Sequence, residues 1–220
     1  MRRSATRKRR DMSHRVWAPA LALAERLVRG RWWHESELST NQQVTVVAPN
    51  VADRQTVNDG VGDVLTRRYE IDLSSCAASP HEIFQRFREQ PDQFAPTEYA
   101  TFGPGPLREG DRFDIRLAGP WNGPVEVLES SRSLIRLVTL DGHMEAGRIT
   151  FSVVDQDETQ VFRIESTAAA GDRAFWLLYE LLPFGRWVQT DMWSRVLESA
   201  VKVGGSPTVP KVDVVTVQRS

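Results

Sequence analysis

At 220 residues, with 40% hydrophobic and 26% charged side chains, the chain is long enough for one generous globular domain with extensions, or for two small ones. The net charge of -1 hides an asymmetry: MRRSATRKRR at the start carries six basic groups and no acid, which leaves 22 basic against 29 acidic groups, a charge of -7, over residues 11–220. A body of that sign repels a phosphate backbone and excludes nucleic acid as a partner of the main domain; a single cysteine, Cys76, excludes an internal disulfide.

Residues 1–34 read as a basic arm followed by an amphipathic helix. Trp17, Leu21, Ala24, Val28 and Trp32 recur at three- and four-residue spacing, with Glu25, Arg26 and Arg29 off the stripe. Basic residues beside such a stripe suit an interfacial helix, so Trp17, Leu21, Val28 and Trp32 are candidates for contact with an anionic membrane through residues 2–33. Two other readings stand beside this one. The helix could dock on its own domain, or the segment could be a signal peptide with Ala22-Leu23-Ala24 as cleavage site. The apolar run Val16–Ala24 is short and ends inside that cleavage motif, which favours a cytoplasmic protein over a secreted one. No apolar run approaches the ~18 residues that span a bilayer.

Residues 35–63 are polar, with one strand-like run over Gln43–Ala48, and read as a linker or a strap over the domain. The domain proper spans 64–205. TRRYEIDL sets Tyr69, Ile71 and Leu73 on one face, the period-two pattern of a half-buried strand. Ser79 caps a helix that starts at Pro80 and stacks Ile83, Phe84 and Phe87 on one side. Strands follow over Tyr99–Phe102, Arg112–Leu117, Gly123–Glu129, Leu134–Leu140, Gly147–Val154 and Gln160–Ala168, with gaps too short for anything but antiparallel neighbours. A long helix closes the domain over Asp172–Val203, interrupted at Pro183-Phe184-Gly185, and residues 206–220 read as a tail whose valines could add an edge strand.

This order predicts an α+β helix-grip architecture: a curved antiparallel sheet of about seven strands wrapped around the C-terminal helix, with an apolar hollow between them as the ligand site. The hydrophobic small molecule expected there, lipid or polyketide-like, would meet Phe113, Ile115 and Phe151 from the sheet, Tyr179 from the helix, and Trp121 from the Gly119-Pro120-Trp121-Asn122-Gly123 turn at the entrance. Thr139 and Arg163 are candidates to hold its oxygen atoms. Trp176, Trp187 and Trp193, at helical spacing, read as core.

His143 and Glu145 sit between two strands in TLDGHMEAGRITFSV (Thr139–Val153). Two residues apart in extended chain, they point the same way and form a candidate general acid–base pair for cyclase or dehydratase chemistry. The plainer reading is that His143 secures the strand connection through the backbone. One histidine without a second ligand makes no metal site, and no phosphate loop or nucleophile motif is present, so neither metal nor cofactor is expected.

The same stretch resembles a Thr-Leu-x-Gly-His-x-Glu-x-Gly signature of a bacterial and plant domain of unknown function within the START-like superfamily, alongside lipid-transfer, birch-pollen-allergen-like and polyketide-cyclase proteins. The opening strand before Ser79-Pro80, the Pro106–Gly110 turn and Gln189 on the closing helix support the resemblance over residues 66–203. Arg148 stands where that pattern has an acid. The resemblance implies the helix-grip fold and a cavity, and brings no established activity.

Overall fold

The computed structural model describes residues 20–26, 28, 30, 33–39, 52–117, 122–156, 159–173, 176 and 183–219. Among the described residues ten strands form one sheet: β1 (Trp33–Ser39), β2 (Arg54–Gln55), β3 (Val61–Asp72), β4 (Ala100–Thr101), β5 (Arg112–Leu117), β6 (Asn122–Ser130), β7 (Leu134–Leu140), β8 (Glu145–Gln156), β9 (Thr159–Ala170) and β10 (Val212–Arg219). Their order is β1-β10-β3-β9-β8-β7-β6-β5-β4, with β2 beside β7, and among the described residues only β1–β10 is parallel. The seven expected strands are β3 to β9. The other three come from segments read as linker and tail. In particular, 212–219 is no tail: β10 lies antiparallel to β3 with Val214 opposite Tyr69, and its alternate residues Val212, Val214 and Thr216 are buried. Gln43–Ala48 lies outside the described residues.

Local signals explain α2 (Pro80–Glu89). Ser79 and Glu82 close a capping box: the Glu82 carboxylate accepts from the Ser79 N–H at 2.8 Å, and the Ser79 hydroxyl accepts from the Glu82 N–H at 3.3 Å. Its inner face inserts Ile83, Phe84 and Phe87 between the sheet and α3 (Pro183–Val203), the described part of the closing helix. There the rings interlock. Phe87 lies 4.9 Å from Phe151, 5.3 Å from Phe94 and 5.5 Å from Phe162, while Trp193 stacks on Phe102 at 5.8 Å. At this end the architecture is a helix-grip fold with a filled grip. The hollow expected around Phe151 and Ile115 is occupied by these aromatic side chains.

Residues 20–26, the helical stretch α1, are held against α3 by ionic contacts. Asp191, fully buried, receives Arg26 at 2.8 Å, Arg195 at 2.9 Å and the Tyr99 hydroxyl at 2.5 Å. Arg26 also reaches Glu198 and lies over the Trp33 ring; Arg195 reaches Glu98 and the Ala22 carbonyl. Leu23 is 1% exposed, so this face docks, whereas Leu21 at 69% and Val28 at 88% face outward. The stripe read from spacing is therefore the face that points away from the domain. Trp17 and Trp32 lie outside the described residues.

Replacing Asp191 by alanine removes the fully buried carboxylate shared by buried Arg26 and half-buried Arg195, leaving them Glu198 and Glu98. We expect a loss of about 3–5 kcal/mol in urea-unfolding free energy; a loss under about 1 kcal/mol would mean that these charges are solvated.

Candidate functional site

Strand alternation fixes what the concave face of the sheet presents. On β3, Tyr69 and Ile71 share that face with Leu65 and Arg67; on β9, Phe162 and Ile164 share it with Ser166, Ala168 and Ala170; on β8, Phe151 and Ile149 share it with Gly147 and Glu145. The aromatic cluster occupies one end of the face. The other end is polar: Arg67 stands opposite Ser166 across β3 and β9, and Glu145 projects from the start of β8 beneath α3.

Gln189 of α3 ties the polar groups together. Its amide donates to both oxygens of the Glu145 carboxylate at 3.0 and 3.2 Å, and its carbonyl oxygen accepts from the Arg67 guanidinium. The Glu145 carboxyl is half-buried beneath α3, and burial pushes its pKa above the ordinary glutamate value; Arg67 and the Gln189 bond oppose that shift without cancelling it. The Tyr69 hydroxyl lies beside Thr190 and Arg67, and burial raises its pKa as well. Between Arg67, Glu145, Ser166, Gln189, Leu65 and the alanines of β9 remains a chamber of about 30 Å³, room for one or two waters. Trp176, 38% exposed, forms part of its wall. The indole rests on Gly62, where the backbone is left-handed (φ +80°) and a β-carbon would meet the ring nitrogen at 2.3 Å.

Ser166 is the informative member. It is 7% exposed and lines the chamber, and among the described residues its hydroxyl makes no hydrogen bond. Buried hydroxyls are ordinarily paired, by protein, water or ligand.

The Thr139–Val153 motif builds the support for Glu145. Gly142 turns the chain at φ +89°, and the His143 N–H donates to the Leu140 carbonyl. The His143 imidazole then accepts the Glu145 backbone N–H on Nδ1 at 2.8 Å. The two side chains are thus not an acid–base pair, because the imidazole engages the backbone of Glu145 while the carboxylate turns to Gln189. Nor does a carboxylate raise the proton affinity of His143; burial lowers its pKa to about 4. Thr139 is likewise occupied with backbone: its hydroxyl accepts from the Gly147 N–H at 2.9 Å and lies 3.1 Å from the Gln55 carbonyl. This contact takes over where the β7–β8 ladder stops at Val138 and Arg148.

The remaining candidates are dispersed. Arg163 alternates to the convex face, where it binds Glu70 at 2.5 Å and Gln156 at 2.9 Å, away from the chamber. Ile115 and Phe151 are core, and Phe113 packs on the edge of that core. Trp193 is core too, but Trp176 and Trp187, read as core from their spacing, are each 38% exposed. Trp121 and Tyr179 lie outside the described residues. The strap after β2 sets Gly60 against Ala146 and Ala169, and its last residues Val61 and Asp63 reach the chamber lining. Arg67, Ser166 and Gln189 were the residues that sequence reasoning did not assign to a site. The parity of Arg67 with Tyr69 and Ile71 was the available signal: a charge on the apolar face of a strand.

No family model matches the chain, and no curated protein matches it. Solved structures of similar fold include protein Ms6760 from Mycobacterium smegmatis, at 14% identity and TM-score 0.43, covering 70% of this chain and 96% of that one. The di-domain ARO/CYC StfQ from the steffimycin biosynthetic pathway aligns at 12% identity and TM-score 0.49, over 68% of this chain and 52% of that one. A norcoclaurine synthase of Thalictrum flavum, solved with a transition state analogue, aligns at 13% identity and TM-score 0.43, over 65% and 98%. Identities this low concern the fold alone, and these TM-scores carry no argument about ligand or chemistry.

Because folding lowers the proton affinity of His143, stability is complete above pH 6.5, the unperturbed value, and declines as pH falls toward about 4, by on the order of 3 kcal/mol. His143→Asn keeps an acceptor for the Glu145 N–H but cannot titrate. Urea midpoints at pH 7 and 4.5 should fall less for this variant than for wild type; equal declines would remove His143 as the cause.

Proposed function

We propose that this domain binds a hydrophobic small molecule, lipid or polyketide-like, whose polar end enters the chamber between Arg67, Glu145, Ser166 and Gln189 and whose apolar part leaves under Trp176. The observation that carries this reading is Ser166, more than nine-tenths buried, in the chamber wall, and without a hydrogen bond from its hydroxyl among the described residues. Leu65, Ala168 and Ala170 offer apolar surface beside it. The chamber itself admits only water-sized groups, so the bulk of a ligand requires the half-exposed Trp176 to swing away from Gly62. Binding is favoured over cyclase or dehydratase catalysis because His143 stands apart from the Glu145 carboxylate, which leaves one proton-transfer group in place of two.

Native mass spectrometry and thermal-shift screening of the full-length protein against hydrophobic compounds test this reading. We expect a bound mass and a raised melting temperature, both diminished in Trp176→Ala. No bound mass and no shift with any compound would overturn it.

A second reading concerns the other end of the chain. The outward placement of Leu21 and Val28 on a helix docked through Leu23 and Arg26, following an arm of six basic groups, supports peripheral contact with an anionic membrane through residues 2–33. No helix among the described residues is long and apolar enough to cross a bilayer. Full-length protein should float with anionic vesicles at low salt and release at high salt, and Leu21→Glu with Val28→Glu should abolish flotation. Flotation unchanged by salt and by the double substitution would discard this contact.

A further inference from the structure

The size and charge balance of the chamber restrict what its polar occupant can be, given that the chamber is the binding site proposed above. Its roughly 30 Å³ matches one or two waters, so a charged group entering it leaves most of its hydration shell outside. Its walls carry both signs: Arg67, 3% exposed, on β3, and Glu145 on β8, with the Asp63 carboxylate among the lining residues. An anion entering here would shed its hydration against Glu145 and Asp63, and an ammonium would do so against Arg67. An uncharged oxygen meets neither cost, and Ser166 offers it a hydroxyl able to donate or accept.

We infer that the ligand's polar end is a neutral single-oxygen group, an alcohol, phenol or ketone, hydrogen-bonded to Ser166, with its carbon skeleton lying over Ala168 and Ala170 against the Trp176 indole. The placement of Ser166 between Arg67 of β3 and Ile149 of β8 agrees with this division, because the hydroxyl sits where the polar wall meets the apolar floor.

Isothermal titration of the full-length protein with 2-naphthol, 2-naphthoate and 2-naphthylmethylamine separates the possibilities, since the three share a ring system and differ in head group. We expect 2-naphthol to bind at least about tenfold more tightly than either charged analogue, and Ser166→Ala and Ser166→Val each to weaken it by about tenfold. Ser166→Ala adds no bulk and so guards against misfolding of the valine variant. Binding of the naphthoate or the amine as tight as that of the naphthol, still weakened by the Ser166 variants, would overturn the neutral head group while keeping the site. Binding by none of the three, or binding indifferent to both Ser166 variants, would overturn the site itself.

Discussion

The amide of Gln189 is the contact on which the polar half of this structure depends. A carboxylate and a guanidinium placed on the concave face of a sheet must each be satisfied once a helix covers them, because an unpaired buried charge costs several kcal/mol. A single glutamine resolves both demands, donating to Glu145 and accepting from Arg67. In doing so it draws α3 onto β3 and β8 and encloses the space left between them. The aromatic cluster at the other end of the same face needs no such device, since Phe84, Phe87, Phe151, Phe162 and Trp193 are buried against one another as apolar rings. The grip is thus divided, packed at one end and chambered at the other.

The N-terminal segment obeys a different logic. A helix whose buried side is Leu23 and a multiply paired Arg26 docks through charge, and Asp191 is its anchor. Apolar docking would have consumed Leu21 and Val28. Ionic docking leaves them on the surface, in a chain that begins with six basic groups among its first ten residues. The position of α1 on α3 and its availability to a second surface are therefore compatible.

Much of the fold was legible because period-two alternation is strong in the central strands. Phe113-Asp114-Ile115 and Ile149-Thr150-Phe151 state their inward faces outright, and Ser79-Pro80 with Glu82 announces α2. The β10 segment was harder. Val212, Val214 and Thr216 do alternate, but two prolines precede them, and only pairing with β3 makes the strand. The site was legible in part. Glu145 was visible in its glycine-flanked motif, yet its partner was taken to be His143, the nearest titratable residue in sequence, when the contact lies on α3, 44 residues away. Arg163 was misplaced because adjacent residues of one strand face opposite sides, and its neighbours Phe162 and Ile164 already claimed the inner face. Trp176 looked like core from its spacing, and nothing in the sequence discloses that its ring rests on a glycine at the rim.

The claim that burial beneath α3 governs the Glu145 carboxyl is tested most directly by carbon-13 NMR titration of its side-chain carboxyl in the folded protein. The account predicts a midpoint above the ordinary glutamate value of 4.5, because burial opposes ionisation more than Arg67 and Gln189 favour it. A midpoint at or below that value would contradict it, showing a carboxylate bathed in solvent or held by a full ion pair.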